Sequence, residues 1–406
     1  MNLANIFESK LGKLYLLLIW LTFALSGWVT IEPAPVDLLV TLAFVIALFS
    51  SYLSFHSHVA FPLTFIWIFI LQNIGAMYFM RNHITGFSYF FITLYLIILW
   101  VMIVGLISRF GKKMTKLIIS GYTTAAIISA LLGIMAYFNL LPNAETFMYL
   151  GRIKSLFKDP NVFGPFLIPI VLFAINYFEE ATTRKKKLFW VSTITLLTIA
   201  VFLSFSRAAW INYVISLGTF FFFWILFSTK KRSLVKRMSL LSILFILFAA
   251  MLFTLFNNES INSMFNTRFG LQKYDTNRFA TQLTVLNSLE TFPLGKGPGQ
   301  SDSISDYSPH SLYVRVLGEY GYLGFFSIIS FIILTLLRAV YAAYKTKATL
   351  YIVCTAAIIG LLVNSFVIDT LHWRHFWLLL AIPWVYKSDS NKTASSAKKK
   401  NMRGEL

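Results

Sequence analysis

Long apolar runs and short polar breaks alternate along the chain. Runs close to the roughly 20 residues that cross a bilayer recur at 14–30, 36–55, 59–80, 86–107, 117–138, 163–178, 188–205, 208–228, 238–256, 321–338, 348–368 and 371–386. This pattern predicts an all-α polytopic membrane protein with about 12 transmembrane helices. The first run follows Lys10 and Lys13, as in a secretory signal, but its apolar stretch is longer than a signal core, which predicts a retained span. Pro165 and Pro169 allow a kinked or partly re-entrant sixth segment. No internal repeat is visible.

Two of the breaks are long, at 139–162 and 257–309. The second predicts a periplasmic loop subdomain. Within it, Phe279, Leu283, Val285, Leu286 and Leu289 have the spacing of an amphipathic helix lying on the membrane surface over 277–289. Pro293, Gly295, Gly297, Pro298 and Gly299 then force turns, and the polar stretch 301–308 reads as mobile. Gly295-Lys296 is not a phosphate loop, because no Ser or Thr follows the lysine and no helix follows directly. Residues 1–386 read as one integral membrane domain, and the lysine-rich stretch 387–406 reads as a disordered cytoplasmic tail.

Composition supports the membrane class, since 57% of residues are hydrophobic and only 13% are charged. The single cysteine, Cys354, excludes an intrachain disulfide and a cysteine-based metal site. The net charge of +19 at first suggests nucleic acid. Under a twelve-span parity, however, 24 of the 35 basic residues fall on one side, against 5 of the 16 acidic residues. The positive-inside rule then puts both termini in the cytoplasm of a bacterial inner membrane. The excess charge is a topology signal in contact with anionic membrane lipid, and nucleic acid is not an expected partner.

Eleven basic residues remain on the outer side: Arg81, Arg152, Lys154, Lys158, Arg207, Arg268, Lys273, Arg278, Lys296, Arg315 and Arg374. A charged side chain at membrane depth costs at least ~2.5 kcal/mol on insertion scales, so it takes a partner or lines a wet cavity. Arg81, Arg268, Lys273 and Lys296 suit snorkelling at the interface. Arg207, Arg278 and Arg374 point to function. Arg315 lies four residues before Glu319, and a structural ion pair and a functional role both fit it. His310 follows Pro309 at a predicted helix start, where a capping position and a general base are equally open readings. His372 and His375 are weaker candidates.

From His310 onward a wider pattern emerges. His310-Ser311, nine residues, then Gly321-Tyr322-Leu323-Gly324 resembles the histidine signature of the O-antigen ligase family, which includes O-antigen polymerases. Residues 152–164, the Ser206-Arg207-x-x-Trp210 segment, and Asn277-Arg278 through Gly299 are similar to the family's other outer motifs, so the motif-bearing region covers about 150–325. The resemblance implies a GT-C-like helical fold. It also implies a metal-independent, inverting transfer that needs no cofactor. The donor would be a glycan on undecaprenyl diphosphate, and the acceptor either lipid A-core or a second lipid-linked glycan. On this reading His310 is the general base, and Arg207 and Arg278 grip the diphosphate. Arg152, Lys154, Asn161, Arg315 and Arg374 complete substrate binding. The alternatives are a flippase or other transporter for a lipid-linked oligosaccharide, and a polysaccharide export subunit. A transporter predicts charges near mid-membrane in a pseudo-symmetric core, whereas these gather at one end.

Overall fold

A computed structural model describes residues 5–227, 273–301 and 309–387, with scattered positions between 235 and 267; for 273–279 the backbone alone is described. The helices are α1 Asn5–Glu8, α2 Lys10–Ala24, α3 Pro35–Phe49, α4 Ala60–Ala76, α5 His83–Phe110, α6 Lys112–Tyr137, α7 Pro160–Glu180, α8 Arg184–Leu203, α9 Arg207–Leu226, α10 Lys273–Asn287, α11 Leu312–Thr346, α12 Thr349–Asn364 and α13 Arg374–Ala381. Two-residue strands, β1 Met148–Tyr149 and β2 Arg152–Ile153, pair antiparallel.

Among the described residues, seven helical stretches are long and apolar enough to cross a membrane: Ser57–Phe79, His83–Phe110, Lys112–Tyr137, Pro160–Glu180, Arg184–Leu203, Arg207–Leu226 and Leu312–Thr346. The protein is thus a multi-pass all-α membrane protein. The apolar runs at 14–30, 36–55 and 348–368 form the shorter helices α2, α3 and α12. The last run yields only the eight-residue α13, followed by a 3-10 turn over Ile382–Val385 with Pro383 in its first turn. Apart from those scattered positions, the run at 238–256 and the loop region 257–272 lie outside the described residues, as do the polar stretch 302–308 and the tail 388–406.

Hydrogen bonds fix the direction of the helices. Asn82, just before α5, is held by Gln300 of the glycine-rich turn, and Gln72, near the end of α4, donates to Leu294 O. Ser155 donates to Ser129 O near the end of α6. Asp37 at the start of α3 meets Arg374 at the start of α13. The segments 150–164, 203–207, 293–301, 309–312 and 365–374 therefore share one end of the bundle, called the motif end below. The lysine-rich connections at 109–116, 184–187 and 345–347 lie at the other.

α7 is the most buried of the long spans and packs against α6, α8, α9 and α12. Pro165 and Pro169 each remove a helical donor, yet both lie inside α7, which runs as one helix of 21 residues. Asp159 caps it by accepting from Asn161 N at 2.6 Å, and Pro160 occupies its first turn, where a missing N–H costs nothing. Neighbours on all sides supply the packing that intrinsic helix preference lacks.

α11 breaks at Gly321, whose φ of 62° is outside the helical range. The break exposes backbone groups that a straight helix would pair internally, and the glycine-rich turn takes them. Lys296 N donates to Gly318 O, Gly297 N to Glu319 O, and Tyr322 N to Pro293 O, at 2.9, 2.9 and 3.1 Å. A Cβ on Gly321 would collide with Pro293 O, and one on Gly295 would collide with Glu319 O. The expected turn over 293–299 is thus a splint built into the kink of α11. Gly321→Ala combines positive φ with that collision, so we expect it to destabilise the protein by about 2 kcal/mol or more. Thermal unfolding in detergent checks this, with Gly218→Ala, where a Cβ meets open space, as the control.

Candidate functional site

The first cluster at the motif end forms where the 150–164 segment meets the turn between α8 and α9. Arg152 is buried on β2. Its Nε donates to Ser204 O at 3.0 Å and its Nη2 to Asn161 Oδ1 at 3.0 Å. Ser206 Oγ donates to the same Asn161 oxygen at 2.7 Å and caps α9 by accepting from Ala209 N. Arg207 is the first residue of α9, so it sits at the positive end of a helix dipole, beside this network and half-buried. Lys154, also half-buried, is fixed through its backbone N–H to Phe147 O at 3.0 Å.

The tightness of this turn has local causes. Phe205 adopts φ 47° between Ser204 and Ser206. Trp210 Nε1 donates to Phe202 O at 3.3 Å, and its ring stacks on Phe202. The tryptophan of the Ser-Arg-x-x-Trp segment is therefore a staple that closes the α8–α9 corner.

His310 lies in a second stretch of constrained backbone, with φ 42°. On one side Pro309 O accepts from Gln282 Nε2 of α10 at 3.1 Å. On the other, Ser311 Oγ and Leu312 N both reach Ser365 O, at 3.3 and 3.0 Å, and Leu312 N also reaches Ile368 O. A non-glycine residue in the left-handed region costs on the order of 1 kcal/mol and persists only where its surroundings enforce it. Here three chain segments do so. Arg278 is in α10, one helical turn before Gln282; its side chain lies outside the described residues.

Both stretches are related to the end of α12. α9 packs along α12, and a Cβ on Gly360 would collide with Ser216 Oγ and Asn212 Oδ1 of α9. One turn further towards the motif end, α12 finishes at Asn364 and Ser365, while α9 begins at Arg207. Ser365 O is also the acceptor that holds the residues directly after His310. Arg207 and His310 thus begin from backbone positions that flank the same helix end.

Arg315 and Arg374 are placed differently, each against carboxylates. Arg315 donates to Glu319 Oε1 at 2.9 Å and to Asp369 Oδ2 at 3.1 Å, and lies over the Tyr89 ring. Asp369 Oδ2 also meets His372 Nδ1 at 3.0 Å. Burial would raise the Asp369 carboxyl, but Arg315, His372 and the Leu371 N–H outweigh it and hold it well below the usual carboxylate range. The depressed value means that its contribution to stability is present at neutral pH and is lost only as pH falls through that value. Arg374 makes a two-pronged pair with Asp37, Nε to Oδ1 and Nη2 to Oδ2, both 2.6 Å. His375 is a core residue stacked on Trp373.

Sequence reading placed Ser206 in the Ser-Arg-x-x-Trp segment but missed its capping role, and missed Gln282, Gln300, Ser301 and Ser365 as parts of this end. Ser206 carried a signal, since a serine directly before an arginine-led helix is a capping pattern. The others are single polar residues whose partners are far away in sequence. Among the described residues, no three His, Cys, Asp or Glu side chains gather as a metal ion would need.

Residues 192–329 match the family model described as O-antigen ligase. The match takes in Arg207, Trp210, Arg278, the glycine-rich turn, His310 and Gly321–Gly324, and leaves out the Arg152–Asn161 segment. No curated protein matches the chain.

Proposed function

From the match of residues 192–329 to the O-antigen ligase family model, we propose that this chain transfers a glycan from undecaprenyl diphosphate to a saccharide hydroxyl on the non-cytoplasmic face of the inner membrane. The acceptor oxygen attacks the anomeric carbon as His310 takes up its proton. The bond from that carbon to the diphosphate oxygen breaks, and undecaprenyl diphosphate departs with the bonding pair. Attack from the face opposite the leaving group inverts the anomeric centre. The diphosphate is a good leaving group that already carries the free energy for transfer, so the step uses no ATP. Arg207 and Arg278 offset charge on the departing diphosphate, and a guanidinium suits this because it stays charged and grips oxygens in a forked geometry.

The observation that most supports this reading is the shared helix end: Arg207 and His310 flank the C-terminus of α12, and Gln282 ties the arginine-bearing α10 to Pro309. Arg152 and Asn161 are assigned to shaping the Arg207 turn, and Lys154 to the edge of the donor site. Arg315 and Arg374, each held by carboxylates, are assigned to bracing. Ligase and polymerase chemistry share these steps and differ only in acceptor, lipid A-core or a second lipid-linked glycan.

The test is transfer by the purified full-length protein from lipid-linked glycan to each acceptor class, with EDTA present. Arg207→Ala is expected to lower the rate by about 10²–10³-fold, the effect of removing one well-placed donor to developing charge. Wild-type transfer that needs added metal would overturn the metal-independent reading. Undiminished transfer by Arg207→Ala would overturn its role. Movement of lipid-linked glycan across vesicles without any transfer would favour a flippase.

A further inference from the structure

Glu319 is a fully buried carboxylate that joins three chain segments at the motif end. Its Oε2 accepts from Gly299 N at 2.9 Å. Its Oε1 accepts from Ser301 Oγ at 2.7 Å, from Ser301 N at 3.4 Å and from Arg315 Nε at 2.9 Å. Arg315 carries the connection on to Asp369, in the loop whose Ser365 and Ile368 carbonyls hold Leu312 N. The residues directly after His310 are therefore tied, through this loop and Arg315, to the same carboxylate that holds Gly299 and Ser301.

This arrangement explains a buried charge that the proposed transfer does not itself need. A carboxylate taken out of water is costly unless every oxygen is paired. Glu319 meets that condition with four donors, two of them backbone N–H groups. The backbone of Gly318 and Glu319 also accepts from Lys296 N and Gly297 N across the kink. The glycine-rich turn is thus fastened to α11 in two ways, by main chain at 293 and 296–297 and by the Glu319 side chain at 299–301. The second fastening is the one next to the histidine segment.

We propose that Glu319 is a positioning residue for His310: held in place by Gly299 and Ser301, its carboxylate orients Arg315 and, through Asp369, braces the loop whose carbonyls hold Ser311 and Leu312, the residues directly after the histidine. This inference rests on the role of His310 proposed above. A base displaced by about 1 Å loses up to 10²-fold in rate without loss of substrate binding.

The experiment is a double-mutant cycle in the full-length protein, with kcat and donor KM measured for lipid-linked glycan and acceptor. Glu319→Gln keeps the shape but presents an amide donor to groups that are themselves donors. It is expected to lower kcat about tenfold or more with KM within about twofold. Glu319→Asp, which retains the charge, is expected to recover part of the loss. In a His310→Ala background, Glu319→Gln is expected to cause no further loss of residual transfer, because its effect runs through the absent imidazole. Wild-type kcat in Glu319→Gln overturns the inference, as does a loss that multiplies in the His310→Ala background. If Glu319→Gln does not accumulate as folded protein, Ser301→Ala decides. It removes only one arm and is expected to lower kcat about threefold, again with no added loss beside His310→Ala; unchanged kcat overturns the inference. Full activity in His310→Ala alone would sink the role of His310 itself, a result distinct from these.

Discussion

Replacing His310 with alanine is expected to lower glycan transfer by about 10²–10⁴-fold, the range over which a positioned general base accelerates a reaction. The fold should survive the change. His310 is half-buried, and its neighbours are held through Pro309 O, Ser311 Oγ and Leu312 N rather than through the imidazole alone. Alanine suits the left-handed φ of 42° somewhat less well than histidine, a difference of less than about 1 kcal/mol in backbone strain. A melting temperature close to wild type together with lost transfer would separate chemistry from folding. His310→Gly sharpens the comparison, since glycine relieves the positive φ while also lacking the base. It should be at least as stable as the wild type and as inactive as the alanine variant. Transfer near the wild-type rate in either variant would remove His310 from the mechanism and leave the capping reading of that position.

The membrane class was legible because the bilayer imposes it: every span must satisfy its own backbone and present apolar side chains, so eleven of the apolar runs read from the sequence fall on described helices. Length was less legible. The run at 371–386 contains the apolar residues of a span, but the loop before Arg374 and Pro383 after it leave only eight helical residues in α13. Pro165 and Pro169 did not end the helix that carries them, which packs on four neighbouring helices. At the candidate site, the order of motifs pointed to one end of the bundle. The sequence did not reveal which charges are already paired. Arg315 and Glu319 are four residues apart and could be read as a pair, whereas Asp369 lies 54 residues from Arg315. Such partners are set by tertiary packing, which no window along the chain records.

The most distant of these pairs carries the largest expected stability effect. Arg374 and Asp37 are 337 residues apart, both largely buried, and they close the α3–α13 contact with two hydrogen bonds of 2.6 Å. Asp37 has a second duty, accepting from Ala34 N at 2.8 Å at the start of α3. Removing one partner leaves the other charge uncompensated, which in buried pairs costs about 3–5 kcal/mol. Asp37→Ala and Arg374→Ala should each approach the lower end of that range, because both side chains keep some exposure. Replacing both partners by apolar residues of similar size, Asp37→Leu with Arg374→Met, removes the stranded charge and should recover a large part of the stability. The double variant also decides what Arg374 is for. If it braces the bundle, the double variant regains both melting temperature and transfer, apart from the lost cap on Ala34 N. If it grips the donor, stability returns while transfer stays low, because no rearrangement of apolar side chains supplies a guanidinium to a phosphate. A thermal unfolding series run beside the transfer assay reads both quantities from the same preparations, and recovered transfer in the double variant is the outcome that the pairing with Asp37 predicts.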